Sequence, residues 1–67
     1  MNIGKQIESR RKSLGISQAD LAELSGVSLR TVSAIENDSA NPSIEVLSKV
    51  LDVLGLAISL QERVIHE

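Results

Sequence analysis

The sequence predicts a mainly α domain of four or five short helices that ends in one short β-strand. Three observations predict this fold class. Apolar residues recur three and four positions apart in four stretches, turn-forming residues separate these stretches, and the apolar spacing changes to two near the C-terminal end. The chain has 67 residues, so we expect a single domain over residues 1–67. With no cysteine and one histidine, disulfides and a metal site are not expected to stabilise it. Oligomerisation is the remaining way to stabilise so small a core.

The first two helices are expected over residues 2–14 and 17–24. In the first, apolar residues recur at helical spacing at Ile3, Ile7 and Leu14. Gly15 follows them as a C-cap. The second helix is indicated by Ser17 and Asp20, which nearly match a capping box in front of further apolar residues.

The third and fourth helices are expected over residues 28–36 and 43–54. Ser28 can cap the third, in which the inward spacing is held by Leu29, Val32 and Ile35. A loop rich in turn-forming residues, "NDSANPS", then separates it from the fourth. Gly55 closes the fourth helix after a run of regularly spaced apolar residues.

A short strand is expected over residues 56–62, because Leu56, Ile58 and Leu60 alternate with more polar residues. No second strand is visible in the sequence, so the ladder partner should come from another copy of the chain across a two-fold axis. The alternative is a fifth helix, since Leu56, Leu60 and Val64 also lie four residues apart.

The charges are unevenly distributed along the chain. The net charge is −2, yet residues 1–31 hold five Lys or Arg against three Asp or Glu, whereas residues 32–67 hold two against six. A basic face can therefore exist on a chain that is acidic overall. The sequence has no run of about 18 apolar residues that would span a membrane, and its N-terminus lacks the apolar core of a signal peptide. We therefore expect a cytoplasmic protein.

Catalysis is not expected from this composition. The one histidine, His66, stands next to the C-terminus, where no packed shell would hold it, and a cysteine nucleophile is absent. The sequence contains neither a glycine-rich phosphate loop nor a cluster of metal-ligating residues. We therefore expect no enzyme, no catalytic residue, no metal and no cofactor.

Gly26 interrupts what would otherwise be one helix of some twenty residues. A glycine inside a helix costs about 1 kcal/mol relative to alanine, so its position requires a reason. Two helices that cross at ~90–120° around a tight glycine turn form a helix-turn-helix, which places its second helix in a DNA major groove. The small Ala22 suits a close crossing. Four apolar residues can fill the wedge between the helices: Leu21, Val27, Val32 and Ile35.

The stretch "LGISQADLAELSGVSLRTVSAIEN", followed by "NPSIEVLSKVLDVLGL", resembles the Xre family, the lambda-repressor-like helix-turn-helix domains. The resemblance covers residues 3–56, which is nearly the whole chain. The C-terminal "GLAISLQER" further resembles the HipB-type antitoxins, in which a short strand after the last helix pairs between subunits. The resemblance implies a repressor that binds double-stranded DNA as a homodimer.

The resemblance also implies which side chains read DNA bases. They stand at the leading end and on the exposed side of the third helix: Ser28, Leu29, Arg30, Thr31 and Ser33. The Arg30 guanidinium can donate two hydrogen bonds to guanine, a contact that discriminates by about 1–3 kcal/mol. The alternative for Arg30 is a contact to a DNA phosphate or a solvated position on the surface. Leu29 can touch a thymine methyl group or cover the edge of the core.

Phosphate contacts are implied for polar residues at helix ends and in the loop after the third helix: Ser17, Gln18, Asn37, Ser39, Asn41 and Arg10. Gln18, at the start of the second helix, would bind a phosphate and also support the recognition helix. Its alternative is an exposed residue with no ligand. Arg10 would reach the backbone only if the first helix approaches it, and a solvated position is its alternative.

Arg11 and Glu36 are implied to form a partly buried ion pair that ties the first helix to the end of the third. The arginine of this pair stands four residues before the glycine of "LG", which selects Arg11 and not Arg10. The sequence departs from the family where "END" replaces the commoner "ENG". Asn37 or Asp38 must then supply the left-handed C-cap, and Asp38 would add repulsion toward phosphates in this loop.

These features together predict an autoregulating, HipB-like repressor whose homodimer reads a pseudo-palindromic operator in major grooves about 34 Å apart. The antitoxin resemblance implies a HipA-type kinase toxin as protein partner. A stand-alone phage-type or restriction-controller regulator without a toxin is the alternative, and a protein-interaction module that binds no DNA is the alternative of another class. Residues 28–33 favour DNA, because they carry arginine, serine and threonine and no acid.

Overall fold

The computed structural model describes residues 3–64, and these form four α-helices. The helices are α1 (Ile3–Ser13), α2 (Gln18–Ser25), α3 (Leu29–Glu36) and α4 (Ile44–Val53). The expected ranges differ from these by at most one residue at each end, chiefly because they included the capping serines. Residues 1–2 and 65–67, which include His66, lie outside the described residues. In the described part of the chain, all the helices are too short to cross a bilayer.

Serine caps determine where three of the helices begin. Ser17, Ser28 and Ser43 each accept a hydrogen bond from the backbone N–H three residues on, at 3.0, 3.1 and 3.1 Å. At α2 the capping box is reciprocal, because the Ser17 N–H donates to Oδ2 of Asp20 at 2.9 Å. This backbone hydrogen bond lowers the pKa of Asp20 below its usual value.

Gly26 forms the turn between α2 and α3. Its φ is +72°, in the left-handed region, and its N–H donates to the Ala22 carbonyl at 3.0 Å. A Cβ at this position would have no atom within 4 Å, so the backbone angle and not lack of space selects glycine. The break in the long helical stretch is therefore a C-cap that turns the chain into α3.

The core lies between α2, α3 and α4, with α1 packed on α3. It consists of seven buried apolar residues: Ile7, Leu21, Val32, Ile35, Val50, Leu51 and Leu54. Val27, the fourth expected member of the wedge, is partly buried against this core. The side chains of one continuous cluster thus hold α2 and α3 at their crossing.

The residues that α1 buries are not the same as those whose apolar spacing predicted the helix. Ile3 and Leu14 are exposed, whereas Gly4, Ile7 and Arg11 are buried. These three recur at i, i+3 and i+7, so they share one face of the helix. A glycine and a charged residue therefore complete a face that apolar spacing alone does not identify.

Residues 56–64 carry neither helix nor strand in the described structure. The fifth helix that we considered is not formed there. The Leu56 N–H donates to the Leu51 carbonyl at 2.9 Å, and the Leu56 side chain packs against the core. The strand expected over residues 56–62 remains a prediction, because its ladder bonds need a second copy of the chain.

Candidate nucleic-acid interface

α3 presents one face to the core and the opposite face to solvent. Its buried residues are Val32, Ile35 and Glu36. At 100° per residue, Arg30, Ala34 and Asn37 project from the opposite side. Arg30 and Asn37 are exposed, and Ala34 between them is half-buried. Ala34 was not among the predicted site residues, because an alanine carries no recognition chemistry. Its spacing of four residues from Arg30 is the signal that would have identified it.

The expected base-reading residues differ in how free their side chains are. Ser28 accepts the N–H of Thr31 at 3.1 Å, and the two hydroxyl oxygens lie 2.9 Å apart, so this pair is engaged in capping α3. Ser33 is half-buried, Arg30 is exposed, and 49% of Leu29 is exposed. Arg30 and Leu29 are therefore the two members of this set that are exposed and take no part in capping α3.

A cluster formed by the buried Arg11 and Glu36 and the half-buried Gln18 ties α3 to α1 and α2. Nε of Arg11 donates to Oε2 of Glu36 at 2.7 Å, and Nη2 donates to Oε1 at 3.1 Å. Nε2 of Gln18 donates to Oε1 of Glu36 at 3.0 Å. The Arg11 guanidinium also donates to the Ile16 carbonyl at 2.8 Å. Three helices thus meet at one carboxylate, which holds the end of α3 in place.

The charges of this cluster stabilise each other. Burial raises the pKa of Glu36, but hydrogen bonds from Arg11 and Gln18, with the nearby positive charges, outweigh burial and lower it below its usual value of 4.5. The hydrogen bond to Glu36 raises the pKa of Arg11 above its usual value. Both groups are therefore charged at neutral pH, and the pair is bidentate, which fixes its geometry.

Four of the six residues expected at phosphates make side-chain hydrogen bonds within the domain. Ser17 caps α2, and the Ser39 hydroxyl donates to the Ala34 carbonyl at 3.3 Å. Asn37 and Asn41 are exposed. Nε of Arg10 donates to the Leu54 carbonyl at 2.9 Å, at the C-terminal end of α4. This bond engages Arg10 in capping α4, where a cation is favourable to the helix dipole.

The residues expected to form the dimer follow α4 in the chain and lie beside it. Leu56 is half-buried, whereas 44% of Ile58 and 96% of Leu60 are exposed. With Leu51 and Ile44 they line an apolar groove along α4. Within residues 3–64, no three His, Cys, Asp or Glu lie together as a metal site would require.

Curated relatives align with most of the chain. The regulator PuuR of Escherichia coli (strain K12) is 43% identical over 56 residues, which is 84% of this chain and 30% of that protein. SinR of Bacillus subtilis (strain 168) is 44% identical over 57 residues, 84% of this chain and 51% of SinR. The immunity repressor of Bacillus phage phi105 is 36% identical over 59 residues, 88% and 41% of the two chains. The chain thus spans about half or less of these relatives' length.

Solved structures of SinR show the same fold. SinR in its complex with DNA superposes with a TM-score of 0.76 at 43% identity, over 82% of this chain and 89% of that one. SinR in its complex with SinI gives 0.77 at 43% identity, over 82% and 54%. A sequence model of the helix-turn-helix family matches residues 7–61. The expectation at family level is confirmed: this chain belongs to the helix-turn-helix family.

Proposed function

We propose that this chain is a sequence-specific DNA-binding transcriptional regulator that acts as a repressor and is not an enzyme. The observation that carries the proposal is the solvent face of α3, where Arg30, Ala34 and Asn37 project away from the core and no acid intervenes. The relatives are regulators and a phage repressor, and SinR has been solved bound to DNA. These similarities support the proposal.

In this proposal α3 enters the major groove, which is wide enough for a helix. Arg30 donates to the N7 and O6 acceptors of a guanine, and Leu29 touches a thymine methyl group beside it. Ala34 lies at the centre of the exposed face, where its short side chain lets the helix backbone approach the bases closely. The cluster of Arg11, Gln18 and Glu36 holds the helix at this angle.

Phosphates are bound around this helix by groups that have hydrogens to spare. The Gln18 amide nitrogen carries two hydrogens, of which the Glu36 carboxylate takes one, so the second is left for a phosphate oxygen. The Ser17 hydroxyl accepts at α2 and can still donate outward. The side-chain amides of Asn37 and Asn41 complete the contact from the loop after α3, and Ser39 joins them by exchanging its hydroxyl bond to the Ala34 carbonyl for one to a phosphate.

The operator in this proposal is pseudo-palindromic, because a two-fold symmetric homodimer presents two α3 helices to half-sites about 34 Å apart. Residues 56–62 pair between the two copies through Leu56, Ile58 and Leu60. By its resemblance the chain is a HipB-like antitoxin that represses its own operon with a HipA-type kinase toxin. A regulator without a toxin is the alternative. Co-elution of the chain with such a kinase distinguishes the two, and failure to co-elute favours the stand-alone regulator.

Arg30→Ala should relax base preference at one position in each half-site. A lost bidentate contact to guanine reduces discrimination there by about 1–3 kcal/mol. Operators are first selected from randomised duplexes with the unaltered chain, and affinities for single-base variants are then measured by fluorescence anisotropy.

Two variants serve as comparisons for Arg30→Ala. Lys49→Ala removes a cation from α4 and should leave the preference unchanged. Gln18→Ala should weaken binding to all sequences alike and leave the salt slope almost unchanged, because the amide carries no charge and releases no counterion. An equal loss on all sequences with Arg30→Ala would show that Arg30 contacts phosphate. If no duplex is selected at all, the chain is the protein-interaction module of the alternative.

Deletion of residues 57–67 should shift the chain from dimer to monomer in sedimentation velocity. The deletion keeps Leu56, because its side chain packs on the core and its N–H is bound to Leu51. The point variant Ile58→Asp should act in the same direction by placing a charge between the paired tails. Leu24→Asp, which places the same charge at another exposed apolar residue, is the control and should remain dimeric. A truncated chain that is still dimeric would rule out pairing through the tail.

A further inference from the structure

The end of α3 adopts a backbone conformation that usually selects glycine. Asp38 has φ +56°, and among the described residues it is the one non-glycine with positive φ. The Asp38 N–H donates to the Ile35 carbonyl at 3.1 Å, and the Ser39 N–H donates to the Ala34 carbonyl at 2.9 Å. This pair of bonds is a Schellman motif, in which a left-handed residue closes the helix. An aspartate here needs a compensating contact, because its Cβ disfavours this conformation.

The Asp38 carboxylate makes such a contact with the beginning of α1. Its Oδ1 accepts a hydrogen bond from the Gly4 N–H at 3.2 Å. The first N–H groups of a helix have no partner within the helix, and the helix dipole favours a negative charge beside them. Asp38 therefore caps α1 from a position 34 residues away in the sequence.

Gly4 allows this contact because it has no side chain. A Cβ on Gly4 would lie 2.5 Å from the Glu36 carbonyl oxygen, 2.6 Å from that of Ile35 and 2.8 Å from Oδ1 of Asp38. The first turn of α1 thus lies directly against the last turn of α3. We call the hydrogen bond between Gly4 and Asp38, with this close approach, the Gly4–Asp38 latch.

The hydrogen bond of the latch directs the Asp38 carboxylate toward the start of α1. Asn37, Ser39 and Asn41, on both sides of it in the chain, are the loop residues that we assign to phosphate contacts. A carboxylate that turned toward the same phosphates would repel them. Bound to the start of α1, it is instead offset by the partial positive charge of that helix end.

We propose that Asp38 is a positioning residue: through the latch it orients the loop after α3 toward the DNA backbone while its own charge is turned away from DNA. The proposal rests on the DNA binding proposed above. Asp38 differs from a glycine at this position, because a glycine permits the left-handed turn but has no side chain that could bind α1.

Two variants of Asp38 separate the latch from the charge. Asp38→Asn keeps an acceptor oxygen and tolerates the left-handed conformation, so its affinity for a selected operator should be within about twofold of the unaltered chain, with the same salt slope. Asp38→Gly keeps the turn and loses the latch, so DNA binding must itself order the loop. The affinity should fall about fivefold to tenfold, because the free energy that the latch supplied, about that of one hydrogen bond, must then come from binding. The thermal midpoint of Asp38→Gly should change little, because the relieved backbone offsets the lost bond.

Hydrogen exchange at the Gly4 amide gives a readout that does not depend on DNA. It should be as slow in Asp38→Asn as in the unaltered chain and faster in Asp38→Gly. Asp52→Asn, which removes an exposed carboxylate from α4, is the control for net charge. Tighter operator binding by Asp38→Asn than by Asp52→Asn would overturn the proposal, because the charge would then face DNA. Unchanged affinity in Asp38→Gly would overturn the positioning role, whereas absence of binding by the unaltered chain would overturn the proposed function itself.

Discussion

Replacing Glu36 by alanine should lower the free energy of unfolding by about 3–5 kcal/mol, a large part of the stability of a domain of this size. The side chain of Glu36 is wholly buried and that of Arg11 is 10% exposed. Without the carboxylate, the guanidinium stays buried without its hydrogen-bonded partner, and the Gln18 amide loses its acceptor. Urea denaturation followed by circular dichroism at 222 nm measures the effect.

Three comparisons isolate the role of burial in this result. Lys12 and Glu8 form an exposed ion pair at 3.7 Å, so Glu8→Ala should cost less than about 1 kcal/mol. The double variant Arg11→Met with Glu36→Leu should recover much of the loss, because it leaves no unpaired charge.

The stabilisation by Glu36 should also depend on pH. It is complete above the unfolded pKa of 4.5 and declines as pH falls through the lower folded pKa. The free energies of unfolding of the unaltered chain and of Glu36→Ala should therefore converge in acid. Equal losses for Glu36→Ala and Glu8→Ala would contradict this account.

Leu21→Ala should lower the free energy of unfolding by about 2–5 kcal/mol. Leu21 is fully buried in α2, the helix that packs against both α3 and α4. Its truncation leaves a cavity in the wedge that sets the angle between the two helices of the helix-turn-helix motif. Thermal unfolding and urea titration at neutral pH measure the loss.

Leu24→Ala is the matched control for Leu21→Ala, because it makes the same change in the same helix at a residue that is 65% exposed. It should change stability by no more than about 0.5 kcal/mol. Operator affinity measured where both variants are folded should fall for Leu21→Ala alone, since only that variant loosens α3. Similar losses of stability in both variants would show that Leu21 does not hold the core.

The helix starts and the turn could be predicted because their signals are local. Ser17 and Asp20 form their capping box within one turn of the chain, and Gly26 adopts the left-handed angle that its position suggested. These interactions depend on neighbours in the sequence, so the residue types are enough to find them. The ion pair of Arg11 and Glu36 was implied by family resemblance and not by spacing alone.

Interactions between distant residues could not be predicted in this way. The sequence did not indicate that Nε of Arg10 donates to the Leu54 carbonyl, 44 residues away. It also did not indicate that the Asp38 carboxylate accepts a hydrogen bond from the Gly4 N–H. Neither contact leaves a pattern in the sequence, because one partner in each is a backbone group that every residue possesses.

The sequence by itself determined the mainly α fold, the caps, the turn at Gly26 and the helix-turn-helix family, since periodicity and turn chemistry are properties of short stretches. Only the tertiary structure decided which side chains of α3 face solvent, that Gly4 is where α1 meets α3, and that Arg10 and Asp38 cap helices that lie far from them in the chain. The physical reason is that a helix end satisfies its free N–H and C=O groups with whatever the fold brings beside it.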